Sequence, residues 1–234
     1  MHDGWTDGSL MSAVEAVRTR RSVRAFTRQP VPRETVEFIL ALAARAPSGS
    51  NIQPWKVYAV AGAARAALSA ELLAAHADPA RPAEPPEYHY YPTAWREPYL
   101  ARRRKVGWDL YGALGIAKGD KAAMARQHGR NYDFFGAPVG LFFTLDRDME
   151  RGSWLDLGMF MQNVMITARG LGLDTCPQQA FCNHHRIVRR HLGIPDTEIL
   201  VSGMALGQAD ADAPENRFDT EREPADAFTR FSGF

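Results

Sequence analysis

Cysteine is scarce in this chain. Its 234 residues hold only Cys176 and Cys182, too few for a disulfide framework and too far apart for a redox C-x-x-C pair, so both read as reduced packing thiols. A dominant charge is missing as well: 28 Lys and Arg face 27 Asp and Glu, a net charge of +1. Such a balance supplies no long-range field for nucleic acid or an anionic membrane, and neither is expected as a partner. No apolar run approaches the roughly 20 residues that span a bilayer, and the start MHDGWTDGSL has no basic segment followed by an apolar one. A cytoplasmic protein is the expectation. G-x-S-x-G, H-E-x-x-H, the P-loop and G-x-G-x-x-G are all absent, which removes the commonest local signatures of hydrolases, zincins and nucleotide-binding folds. Cys176, Cys182, His184, His185 and His191 are spaced C-x5-C-x-H-H-x5-H, a pattern that matches no pair of zinc knuckles, and no metal site is expected.

What is present suits one globular domain spanning 1–234, with 45% hydrophobic and 24% charged residues. Helical periodicity or capping marks residues 11–19, the stretch PRETVEFILALAARA with Val36, Ile39, Leu40 and Ala43 on one face, 63–76, 98–115, 118–131 and HHRIVRRHLG. WKVYAV (55–60), PVGLFFTL (138–145), LDTC and ILVSGMALG (199–207) read as strands. The segment SWLDLGMFMQNVMITARGLG carries Trp154, Leu157, Met161, Val164, Met165 and Ala168 on one face and Leu155, Met159 and Ile166 elsewhere. A helix that apolar belongs in a core or at a subunit interface. Residues 77–98 hold six of the 15 prolines and should form an irregular excursion, its Tyr88, Tyr90, Tyr91 and Trp95 making either an aromatic-anchored surface loop or a substrate lid. The tail at about 209–234 is acidic yet keeps Phe218, Phe228, Phe231 and Phe234, a composition that should dock rather than stay solvated.

Three polar clusters lie at element ends. RRSVRAF (20–26) puts Arg20, Arg21, Ser22 and Arg24 beside one another; this is either a solvated helix end or an anion site built of guanidinium forks and a hydroxyl. PSGSNIQ offers Ser48, Gly49, Asn51 and Gln53, which satisfy either their own loop backbone or a ligand. In CPQQAF, Pro177 fixes the entry and Ala180 leaves room for backbone amides to approach a ligand, unless the segment is merely a strand exit. The run Arg102 to Lys105 reads as a solvated helix face.

Taken together, RRSVRAF, then APSGSNIQPWKVYAV about 25 residues later, then GLGLDTCPQQAF resemble the FMN-dependent nitroreductase family from about residue 12 to about residue 230. WREPYLARRRKVGWDLYGALGI and NYDFFGAPVG look most similar to its p-nitrobenzoate reductase-like branch. The resemblance implies an α+β fold, a central, mostly antiparallel sheet flanked by helices, and an intertwined homodimer. It implies FMN as cofactor, with Arg20, Arg21 and Ser22 on its phosphate and ribityl chain, Arg24 at the N1 and O2 edge of the ring, and Arg222 on the phosphate. Ser48, Gly49, Asn51 and Gln53 would border the ring from the partner subunit, and Gln178, Gln179 and Ala180, entered through Pro177 at the same cofactor site, would bring backbone amides to N5 and O4. Family members with Glu-Gly at the last two positions carry a carboxylate that this chain lacks. The lid assigned on the same basis is Trp95, Tyr132 and Phe134. The implied activity is ping-pong reduction of a small aromatic nitro compound, or a quinone, by NADH or NADPH. No side chain acts as acid or base, because flavin N5 carries the chemistry and Arg24 tunes it. Reductive dehalogenation, oxygen-dependent flavin destruction and FMN binding without turnover are the competing readings.

Overall fold

The computed structural model describes residues 10–234, so the reading of the first nine residues as free of a signal segment lies outside the described residues. Four strands form one sheet: β1 (Lys56–Ala61), β2 (Val139–Asp146), β3 (Asp174–Gln178) and β4 (Glu198–Gly207). Their spatial order is β1-β2-β4-β3 and every neighbouring pair is antiparallel. β2 and β4 lie centrally, as their nearly unbroken apolar runs require. Successive β2 residues serve opposite faces: Leu141, Phe143 and Leu145 enter one core, while Phe142 enters the other.

Two helices close the first core. α2 (Arg33–Ala43) buries Val36, Ile39 and Ala43, and α6 (Arg151–Gly170) buries Leu157, Phe160, Val164 and Ala168. These spacings of three, four and seven residues are helical stripes. Trp55 stacks on Phe160 with ring centroids 4.8 Å apart, which anchors β1 to α6. The far side of α6 stays open, with Leu155 72% exposed.

The second core lies under α3 (Gly62–Ala77) and α7 (His185–Leu192), with Leu68, Leu72, Ile187 and Val188 fully buried. Here aromatic rings press flat on the sheet. A Cβ at Gly203 would stand 2.3 Å from the Phe181 ring and one at Gly140 would stand 2.2 Å from Phe134, so both strands need glycine at the point of closest approach. The turn Arg130–Gly136 drives Phe134 and Phe135 inward through two consecutive positive φ angles, 52° and 54°, a costly backbone that the buried rings offset. Tyr132 and Phe134 are 1% and 0% exposed. Their assignment to a lid is therefore corrected: they are core residues, and only Trp95 of that trio sits in the excursion.

The remaining helices are peripheral: α1 (Ala13–Thr19), α4 (Tyr99–Ala113), α5 (Lys121–Gly129) and α8 (Ala225–Phe228). The tail reaches α4 through Arg102–Glu223 (2.7 Å) and Lys105–Glu221 (3.3 Å). Its Phe228 and Phe231 remain 73% and 67% exposed.

Candidate functional site

Ser12 caps α1 and the chain leaves that helix extended at Arg20. Extension lets the next residues run beside β3: Ser22 bridges Thr175 in parallel, and the Val23 amide donates to the Thr175 carbonyl at 3.0 Å. The tail pins the same segment from the other side. Asn216, 3% exposed, accepts from the Arg24 amide at 2.8 Å and donates to the carbonyls of Ala25 (2.8 Å) and Asp210 (2.9 Å). Residues 20 to 24, β3 and the tail thus meet in one place.

Residues 20 to 24 and the tail, with Val106 of α4, enclose a cavity of about 320 Å³ lined by Arg20, Arg21, Ser22, Arg24 and Arg222. Among the described residues none of these four guanidiniums is in direct ion-pair contact with a carboxylate, although the charge of Arg21 acts on the buried Asp174. The two acids beside them are engaged elsewhere, Glu215 with Arg130 and Glu221 with Lys105. Burial, followed by the like charge of Arg222, lowers the pKa of Arg20. Arg20 and Arg24 are partly buried here, whereas Arg21 and Arg222 remain exposed.

Arg24 also lines a second, adjoining cavity of about 560 Å³ with Pro177, Gln178, Gln179 and Ala180. Of the sequence-assigned residues these five converge there, and the four of the first cavity join them through Arg24. The opposite wall comes from residues 86 to 93 of the excursion, Leu110 and Tyr111 of α4, and Gln127, His128 and Asn131. Gln178 donates to the Asn131 carbonyl at 2.8 Å, and Gln179 donates to the Tyr88 hydroxyl at 2.6 Å. Tyr88 in turn packs edge-on against Trp154 at 4.7 Å, and burial raises its pKa. It stays a neutral phenol that fixes the excursion to the sheet. Gln178 Oε1 and Gln127 Nε2 are buried without partners, so both sides of this cavity hold unused hydrogen-bonding capacity.

The Ser48–Gln53 loop lines neither cavity. It is a built structure nonetheless. The Gly49 amide donates to both carboxylate oxygens of Asp156 at 3.2 and 3.3 Å, the Gln53 amide donates to Ser48 Oγ at 3.0 Å, and Ser50, Asn51 and Gln53 hold positive φ. Asp156 was overlooked in the sequence, although a lone carboxylate inside SWLDLGMF is a visible signal, and it is only 7% exposed. Asn216, Gln127 and Asn131 carried no such signal, since nothing local distinguishes them from other surface amides.

Residues 17–208 match the model of the nitroreductase family. The chain is 44% identical over 218 residues to a 4-nitrobenzoate reductase of Pseudomonas putida, covering 93% of this chain and 94% of that one. It is 41% identical over 217 residues to a nitrobenzene nitroreductase of Ectopseudomonas oleovorans, covering 93% and 95%. Among solved structures it superposes on the FMN- and NADPH-dependent nitroreductase NfnB from sphigopyxis sp. strain HMH with a TM-score of 0.92, at 42% identity, covering 96% of this chain and all of that one.

Proposed function

The chain belongs to the nitroreductase family, and from that premise we propose that it is an FMN-dependent oxidoreductase that uses NADH or NADPH to reduce small nitroaromatic compounds, and quinones, by ping-pong turnover. The observation that carries the reading is the pair of joined cavities: four guanidiniums without a direct ion-pair partner at one end, and at the other a wide cleft lined by residues 177 to 180. Those residues fit a phosphorylated flavin. Arg20, Arg21, Ser22 and Arg222 would hold the phosphate and ribityl chain, and the orphaned Gln178 Oε1 and Gln127 Nε2 have a polar ring edge to meet.

When bound, FMN supplies hydride acceptance and donation at N5. The protein's own share is positioning and charge. Arg24 puts a fixed cation at the junction of the cavities, where reduction would place negative charge on the N1–C2=O edge. Pro177 and the small Ala180 let the amides of Gln179 and Ala180 approach the ring, and the cleft admits reductant and oxidant in turn.

We further propose that the working unit is a homodimer in the cytoplasm. Three features support the dimer: exposed Leu155 on α6, the uncovered Phe228 and Phe231, and the Ser48–Gln53 loop, which lines neither cavity of its own chain. For the cytoplasm, the support is that no described helix is long and apolar enough to cross a membrane. The test is direct: purified protein should be yellow, release about one FMN per chain, and oxidise NADH or NADPH faster when a nitroarene is added. A colourless protein that ignores added FMN would overturn the reading, and flavin reduction without reoxidation by any nitroarene or quinone would reduce it to a carrier.

A further inference from the structure

The arginine run on α4 is not a uniform solvated face. Arg102 is neutralised by Glu223, and Lys105 by Asp109 (2.7 Å) and Glu221. Arg103 has no carboxylate partner among the described residues; instead its guanidinium lies over the rings of Trp95 (4.8 Å) and Tyr91 (5.8 Å). Tyr91 and Trp95 are themselves 5.2 Å apart, and Tyr90 meets Tyr91 edge-on at 4.7 Å. An arginine stacked on rings has its plane fixed while the N–H fork at its edge remains free, which is the arrangement that grips a phosphate bidentately.

This shelf stands at the mouth of the larger cavity. Tyr90 and Tyr91 line the cavity and are 59% and 53% exposed. Leu110 and Tyr111, seven and eight residues beyond Arg103 on the same side of α4, line its wall. At 1.5 Å per residue that is roughly 10–12 Å, within the span of an extended dinucleotide. Gly107 lies between, and nothing comes within 4 Å of the position its Cβ would take, so the path is open. Arg96 repeats the stacking on Tyr99 at 4.9 Å, but neither residue lines the cavity.

The geometry points to Arg103, held on Trp95 and Tyr91, as a clamp for the 2′-phosphate of a purine nucleotide, which makes the enzyme discriminate in favour of NADPH over NADH. The inference rests on the oxidoreductase reading, with the nicotinamide in the cleft and the adenosine on the exposed tyrosines. The discriminating group is the 2′-phosphate monoester, which NADPH carries and NADH lacks.

The test combines kinetics with binding. The holoenzyme should give a higher kcat/KM with NADPH than with NADH, and Arg103→Ala should lower that ratio by roughly tenfold or more through NADPH alone. Arg96→Ala and Arg104→Ala, which remove the same charge off the shelf, should leave the ratio unchanged. By calorimetry 2′,5′-ADP should bind the holoenzyme more tightly than 5′-AMP or inorganic phosphate, and Arg103→Ala should abolish the difference. A wild-type ratio at or below one, an equal loss in the Arg96 or Arg104 variant, or indifference of 2′,5′-ADP binding to Arg103 would overturn the assignment. If neither nucleotide reduces the bound flavin, the oxidoreductase reading fails, while the 2′,5′-ADP titration still decides the clamp.

Discussion

The two ends of the joined cavities are made in different ways. At the arginine end the backbone is pinned on both sides, to β3 through Val23 and Thr175 and to the tail through Asn216, and the side chains have little left to decide. At the aromatic end Tyr90, Tyr91 and Trp95 are held chiefly by one another and by Arg103, on an irregular stretch anchored at Tyr88. A preorganised anion site binds tightly because little ordering remains to be done, which suits a resident cofactor. A loosely held aromatic rim costs affinity but can adapt, which suits ligands that must come and go.

Changes beneath the rigid end should have the largest effect. Phe181, fully buried, follows directly on the amides of residues 179 and 180 and lies on Gly203. Phe181→Ala should destabilise the fold by about 3–5 kcal/mol in urea titration, and a loss below about 1 kcal/mol would show that the segment is not supported from below. Next, replacing both Arg20 and Arg222 with Ala should weaken FMN binding by roughly a hundredfold in a flavin-fluorescence titration; near-wild-type affinity would place the phosphate elsewhere. Arg24→Ala should come third. It should lower the flavin midpoint potential and slow reduction by about tenfold, whereas weaker binding at an unchanged potential would move Arg24 to the phosphate.

Smaller effects sharpen the contrast. Burial pushes the Cys176 thiol up to about 11. The native state keeps that proton after the unfolded chain has lost it, so the stabilisation is complete below the ordinary thiol pKa and is lost as pH rises from about 9 through 11. Cys176→Ala should flatten the stability profile in that window, and an unchanged slope would assign the alkaline loss to other groups. At the aromatic rim, Tyr91→Ala should alter thermal stability least, within about 0.5 kcal/mol, while still shifting reductant preference. A large drop in melting temperature would mean that the rim is structural and the two ends are not so different.

Much of this fold was legible in the sequence because the information is short-range. The apolar stripes at Val36, Ile39 and Ala43 and at Leu157, Val164 and Ala168 place α2 and α6 on the sheet, and the alternation of Leu141, Phe142 and Phe143 divides β2 between two cores. The arginine end was half legible. RRSVRAF announces it, but Arg222 lies about 200 residues away and is brought in by Asn216, whose neighbours in the chain carry no pattern.

By itself, then, the sequence determined the helices and strands, the three polar clusters and membership of the nitroreductase family, since periodicity, capping and motif order act between near neighbours. Only the tertiary structure decided which clusters meet. It joined residues 20 to 24 to 177 to 180 through the β3 bridge and kept the Ser48–Gln53 loop apart on Asp156. It buried Tyr132 and turned Phe134 and Phe135 into the core by a left-handed turn, and it divided the arginine run between ion pairs and aromatic rings. Those outcomes depend on strand register and on the path of a distant tail, and neither is encoded in any local stretch of residues.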